Sequence, residues 1–99
     1  MSALHFIEIR YRKTAPFFVE REVHEMDLET TIRDIISGEV DYVARVLEVI
    51  PGEVCRDISE DVARTIFDRY SHEPFASDVA DFLERHLPDS ITTQLRRAA

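Results

Sequence analysis

Between residues 4 and 12 the chain alternates, with Ile7, Ile9 and Tyr11 on one side of an extended backbone and Glu8, Arg10 and Arg12 on the other. That period of two predicts a strand with one buried face. Residues 17 to 25 repeat the pattern, setting Phe17, Val19 and Val23 against Glu20, Glu22 and His24. Lys13-Thr14-Ala15-Pro16 separates the two runs, so the pair reads as a hairpin whose proline stays out of the ladder. From Asp27 the period lengthens to that of a helix. Leu28, Ile32, Ile35 and Ile36 form one stripe, Asp27 is placed to cap it and Gly38 to end it.

Residues 42 to 50 are rich in β-branched side chains, although Val43, Leu47 and Ile50 also suit a helix face. Pro51-Gly52 favours the strand, because it can turn residues 46–50 back into residues 54–58 as a second hairpin. Ser59 is placed to cap a helix with Glu60 and Asp61 in its first turn and a stripe of Val62, Ile66, Phe67 and Tyr70. Past Ser71-His72-Glu73-Pro74 another helix aligns Val79, Phe82, Leu83 and Leu87, and Pro88 stops it. The order ββαββαα predicts an α+β fold: a small antiparallel sheet of about four strands in two hairpins, with the helices packed on one face. A single domain is expected over residues 1–89, with residues 90–99 a short extra turn around Ile91 and Leu95 or a frayed tail. No internal repeat or low-complexity segment interrupts it.

With 99 residues, 44% of them apolar, the chain is long enough for one core, and its net charge of −8 does not come with the apolar poverty of disordered chains. No apolar run approaches the roughly 18 residues of a membrane span, and the N-terminus lacks the pattern of a signal peptide. The lone Cys55 cannot form an intrachain disulfide. These features together predict a soluble, cytoplasmic protein. Eight of the twenty carboxylates lie between Glu20 and Asp41, opposed there only by Arg21 and Arg33. Such a field repels phosphate backbones and attracts basic partners, so neither direct nucleic-acid binding nor a membrane contact is expected.

The chemistry-bearing residues form no catalytic or cofactor signature. The last two helices outline a helix-turn-helix, yet the second offers Asp78, Asp81 and Glu84 against Arg85, the wrong sign for reading DNA. No histidine among His5, His24, His72 and His86 has a second at helical ligand spacing, so all four read as solvated. Cys55 sits between acidic neighbours in a strand and reads as a small buried hydrophobe. With two glycines there is no phosphate loop or dinucleotide fingerprint, and no cofactor or metal is implied.

Attention falls on the first hairpin. Its alternations share parity, so Phe6, Glu8, Arg10, Arg12, Phe18, Glu20, Glu22 and His24 share one face. A register with Arg10 opposite Glu20 and Arg12 opposite Phe18 is preferred, since it replaces a Glu8–Glu20 repulsion with an ion pair and a cation–π contact. Phe6 and Phe18 then stand among charges, either as an interaction surface or beneath the C-terminal helices or tail. The expected function is that of a small acidic non-enzymatic interaction protein. Its protein partner binds Phe6, Arg10, Arg12, Phe18, Glu20 and Glu22, and a homodimer matching Arg10 and Arg12 of one copy with Glu20 and Glu22 of the other is the simplest case. Two alternatives stand beside it. One is a nucleic-acid mimic that occupies a basic groove; the other is a carboxylate/histidine metal protein or enzyme in which at least two of Glu22, His24, His72 and His86 converge.

Overall fold

Two antiparallel central strands carry the apolar alternation that the fold is built on. They are flanked by two much shorter ones. β1 (Leu4–Ile9), β2 (Phe17–Phe18), β3 (Val43–Val49) and β4 (Arg56–Asp57) form an antiparallel sheet in the order β2-β1-β3-β4. Helices α1 (Leu28–Ser37), α2 (Ser59–Tyr70) and α3 (Ser77–His86) complete a small α+β fold, and residues 89–92 are again helical. The computed structural model describes residues 3–53, 55–70 and 74–92. None of its helices is long and apolar enough to cross a membrane among the described residues.

The core lies on one face of the sheet. Ile7 and Val46, paired across β1 and β3, meet Ile32 and Ile35 of α1, Val62 and Ile66 of α2, and Phe82 and Leu83 of α3, all fully buried. Burial of side chains this size contributes about 1.5–3 kcal/mol each before conformational entropy is charged. Ile91 packs against the same cluster, and Leu95 lies outside the described residues.

Helix signals in the chain work largely as their chemistry predicts. The Asp27 carboxylate accepts the Thr30 amide at 3.0 Å, and Gly38 ends α1 at φ 83°, a conformation that disfavours side chains with a Cβ. Leu28, though, is exposed, and Thr31 takes the buried place in its stripe. Ser59 is not the cap of α2. Its hydroxyl accepts the buried Val46 amide at 2.8 Å, while the Val46 carbonyl accepts from Ile58 at 2.9 Å, so the side chain finishes the ladder where the two residues of β4 run out. Asp57 instead holds the first amide of α2, accepting from Ser59 at 2.8 Å.

One irregularity in the central pair explains a histidine. The register of β1 against β3 shifts after Glu8↔Arg45, so that Ile9 pairs with Val43 and Ala44 is left over. The Ala44 carbonyl is taken by His86, at 2.7 Å from Nε2, with the ring tilted on Phe82. His5 is buried and His86 half-buried, so two of the four histidines are packed rather than solvated. Cys55 departs from expectation in the other direction, being exposed.

Ser59→Ala should leave the Val46 amide buried without an acceptor and lower stability by about 1–3 kcal/mol. The urea unfolding midpoint, at unchanged denaturant slope, measures it.

Candidate protein-binding groove

The second strand of the first hairpin is far shorter than its alternation predicts. β2 pairs Phe18 with Glu8 and Phe17 with Ile9, the Val19 amide adds one bond to the Ile7 carbonyl at 3.0 Å, and the chain then leaves the sheet. In a continued ladder Arg21 would be the backbone partner of His5. Its side chain takes that role: Nη2 donates to the His5 carbonyl, and the His5 amide donates to the Met26 carbonyl at 2.9 Å. Nη1 donates to the Glu25 carbonyl and the Thr31 hydroxyl, each at 3.0 Å, and stands 3.6 Å from the Asp34 carboxylate. The Arg21 side chain is only 5% exposed, and Nε is buried with no acceptor among the described residues. Burial pushes the guanidinium below its ordinary pKa, against the pull of Asp34, and leaves it a cation at any physiological pH.

This departure opens a groove. After Glu20 the chain swings through a 3-10 turn, Val23–Glu25, and between that turn and the sheet lies a cavity of about 590 Å³. Phe6 and Phe18 form one wall, edge to face with ring centroids 6.0 Å apart; Val19, Arg21 and Met26 close it, and Glu20, Glu22 and Glu25 complete the lining. Phe18 is 48% exposed and Phe6 half-buried. Leu4, Leu47 and Val49, half-buried, share their sheet face, the one opposite the core. The Glu22 amide donates to the Glu25 carboxylate at 3.3 Å, and the Glu25 amide to the Glu22 carbonyl at 2.8 Å. Glu20 is exposed and makes no side-chain hydrogen bond or ion pair among the described residues.

Of the six residues predicted to bind a partner, Phe6, Phe18, Glu20 and Glu22 meet at the groove, while Arg10 and Arg12 lie at the exposed tip of the hairpin. The shared parity of the two runs holds, but the register does not. Glu8 faces Phe18, which puts Arg10 at the level of Pro16, so the expected Arg10–Glu20 and Arg12–Phe18 pairs do not form. Glu8 instead pairs with Arg45 across the sheet, and the Arg12 guanidinium lies 5.8 Å from the centroid of Tyr11. The Phe6–Phe18 pair is not covered by the described helices, which pack on the other face. Val23, expected on the apolar face of a strand, is 70% exposed on the turn.

Sequence reasoning missed Arg21, which it counted only as one of two cations, with Arg33, among eight carboxylates. A basic residue at the register position where a strand ends was the available signal. Glu22, His24 and His86 do not converge, and His72 lies outside the described residues; among those residues no group of three His, Cys, Asp or Glu could hold a metal ion. Comparison with protein-family models, curated proteins and solved structures finds no match.

Away from the groove, a second polar chain crosses the sheet. His5 presents Nδ1 to the Met26 carbonyl at 2.9 Å and Nε2 to the Glu48 carboxylate at 3.2 Å, so each ring nitrogen faces an oxygen. Arg56 holds the other Glu48 oxygen at 3.1 Å. Against the cost of burial, the hydrogen bonds of His5 and Arg56 keep the Glu48 carboxyl below its ordinary range. The Arg45 hydrogen bond, outweighing burial, does the same for Glu8, and for Asp57 the Ser59 hydrogen bonds do so against burial.

Two outcomes follow. Arg21→Met should cost about 3–5 kcal/mol, because it strands the Asp34 charge and two carbonyls, and thermal unfolding reads it. Carboxyls with depressed folded pKa values stabilise the protein fully above their unfolded values, near pH 4–4.5, and lose that contribution as pH falls through the folded ones. Urea midpoints should therefore fall as pH drops below about 5, and Glu48→Gln should flatten the slope.

Proposed function

We propose that this chain is a small, non-enzymatic protein-interaction module whose partner is held at the groove beside the first hairpin. The observation that supports it is the half-exposed Phe6–Phe18 pair, set in a cavity of about 590 Å³ lined by three glutamates. Aromatic side chains combine large apolar area with little entropy to lose, which suits the centre of an interface. The carboxylates add sign. Arg21, the one cation in the lining, is already answered by Asp34 and three neutral oxygens, so the groove presents net negative charge. The matching ligand is an arginine or lysine side chain on a protein surface, its stem against Phe18 and its charge near Glu20.

Nucleic-acid mimicry draws less support. It needs the acidic band of Glu20 to Asp41 to present its charge outward. Asp27 instead caps α1, Asp34 answers Arg21, and Glu29 binds Arg69 of α2 through both oxygens, at 2.6 and 2.9 Å. A cytoplasmic setting is part of the same proposal.

Glu20→Lys changes an exposed side chain and should leave stability within about 0.5 kcal/mol of wild type, while Phe18→Ser, which removes the contact with Phe6, should lower it by about 1–2 kcal/mol and still leave the chain folded. Used as baits in native host extract, each should lose at least tenfold of a partner that the wild type retains. A partner retained equally by all three baits refutes the groove as its binding site.

A further inference from the structure

The first hairpin carries opposite charges at its two ends. Arg10, Arg12 and Lys13 stand exposed at the tip, and no acidic residue lies between Glu8 and Glu20. The groove end carries Glu20, Glu22 and Glu25. With Glu8 opposite Phe18, Arg10 sits two positions to the tip side of that pair, about 7 Å along the strand, and Glu20, one residue past the last ladder bond at Val19, lies to the other side. A two-fold axis through Phe18 therefore brings the Arg10 level of one copy onto the Glu20 level of its mate, twice over, with the Phe6–Phe18 pairs between them. The tip is also held in place. The Thr14 amide and hydroxyl both donate to the Tyr11 carbonyl, at 3.0 and 2.5 Å, Tyr11 packs edge-on against Tyr42 at 4.6 Å, and Arg12 lies over Tyr11 with its backbone at φ 48°. An ordered basic tip loses less entropy on docking than a loose one.

We propose that the occupant of the groove is the hairpin tip of a second copy of this chain, in an isologous dimer centred on Phe18. The proposal rests on the groove being a protein-binding site and names its partner. It retains the homodimer expected from the sequence, with Arg10 of one copy on Glu20 of the other, and adds the groove and the Phe18 centre; the intrachain Arg10–Glu20 pair does not form. The open face, with Leu4, Phe6, Phe18, Leu47 and Val49, is at most three strand spacings wide and six residues long, about 14 by 20 Å, which covers about 600 Å² in total over the two copies. That is the size of a weak, transient contact, held by its paired charges more than by its area, and the proposal expects a dissociation constant of about 10–100 µM. At physiological salt the screening length is about 8 Å, so the repulsion between two chains of −8 is damped while the close pairs survive.

Sedimentation equilibrium of the full chain from about 5 to 200 µM at 0.15 M salt brackets the constant expected of such an interface. The wild type should dimerise. Arg10→Glu and Glu20→Arg should each weaken dimerisation at least tenfold, since each places like charges together twice per dimer. Mixed in equal amounts, the two variants should form a heterodimer within threefold of wild-type affinity, because both contacts are then restored. Far-ultraviolet circular dichroism confirms that each variant is folded. A wild type still monomeric at 200 µM overturns the self-pairing, and the capture experiment with Phe18→Ser then decides separately whether the groove binds some other protein. A dimer indifferent to both reversals, or reversals that mixing does not rescue, likewise overturns it.

Discussion

A buried guanidinium sets the shape of the groove beside the first hairpin. Taking an ion out of water costs several kcal/mol even after relaxation, and only a dense set of oxygens offsets it. Arg21 collects that set from three separate pieces of chain: the His5 carbonyl of β1, the Glu25 carbonyl of the 3-10 turn, and the Thr31 hydroxyl and Asp34 carboxylate of α1. Strand, turn and helix are thereby tied at one point. The same contact closes the outer edge of β1 with a side chain instead of a strand, which leaves that edge unavailable for pairing with another sheet.

The groove follows from this substitution. Had residues 20 to 25 continued the β2 ladder, Glu20 would have faced Phe6 and the space beside the Phe6–Phe18 pair would have been filled by the strand's own side chains. Instead, the chain departs after Val19, Arg21 turns inward, and Glu20, Glu22 and Glu25 are carried around the far side of a cavity. Stability and exposure are therefore coupled. The residue that buries its charge most completely is also the one that keeps an aromatic pair in contact with solvent.

What the chain discloses without coordinates divides along the range of the interactions. The α+β class, the four antiparallel strands, the Asp27 cap, the Gly38 terminus and the Pro51-Gly52 turn all depend on neighbours within a few residues, and the alternation of apolar positions carries them. Parity in the first hairpin was legible for the same reason, and it put Phe6, Phe18, Glu20 and Glu22 on one face. Register was not legible. Choosing between Arg10–Glu20 and Glu8–Phe18 by cross-strand charge weighs terms worth under about 1 kcal/mol, whereas the burial of Arg21 and the Glu8–Arg45 pair across β1 and β3 involve partners at least ten residues away in sequence. His5, His86 and Ser59 escaped for a related reason. Each satisfies a backbone group that only the assembled sheet leaves open, as the bulge at Ala44 shows most plainly for His86.

Charge counting has the same limit. The band from Glu20 to Asp41 holds eight carboxylates in sequence, but the fold assigns half of them local work. Asp27 caps a helix, Glu29 ties α1 to α2, Asp34 answers Arg21, and Glu25 accepts the Glu22 amide at the 3-10 turn. A carboxylate already accepting hydrogen bonds within the fold contributes to the field at a distance but has less to gain from a new contact, because part of its desolvation has been met. Glu20 differs from these four in having no such partner among the described residues, while standing next to exposed aromatic surface. The net charge of −8 thus describes how the chain behaves far from any surface, where it repels its own kind. Within a screening length the distribution governs instead, and there the hairpin is a dipole with Phe18 at its centre, an arrangement that a uniformly acidic protein would lack and that its own mirror-placed charges can match.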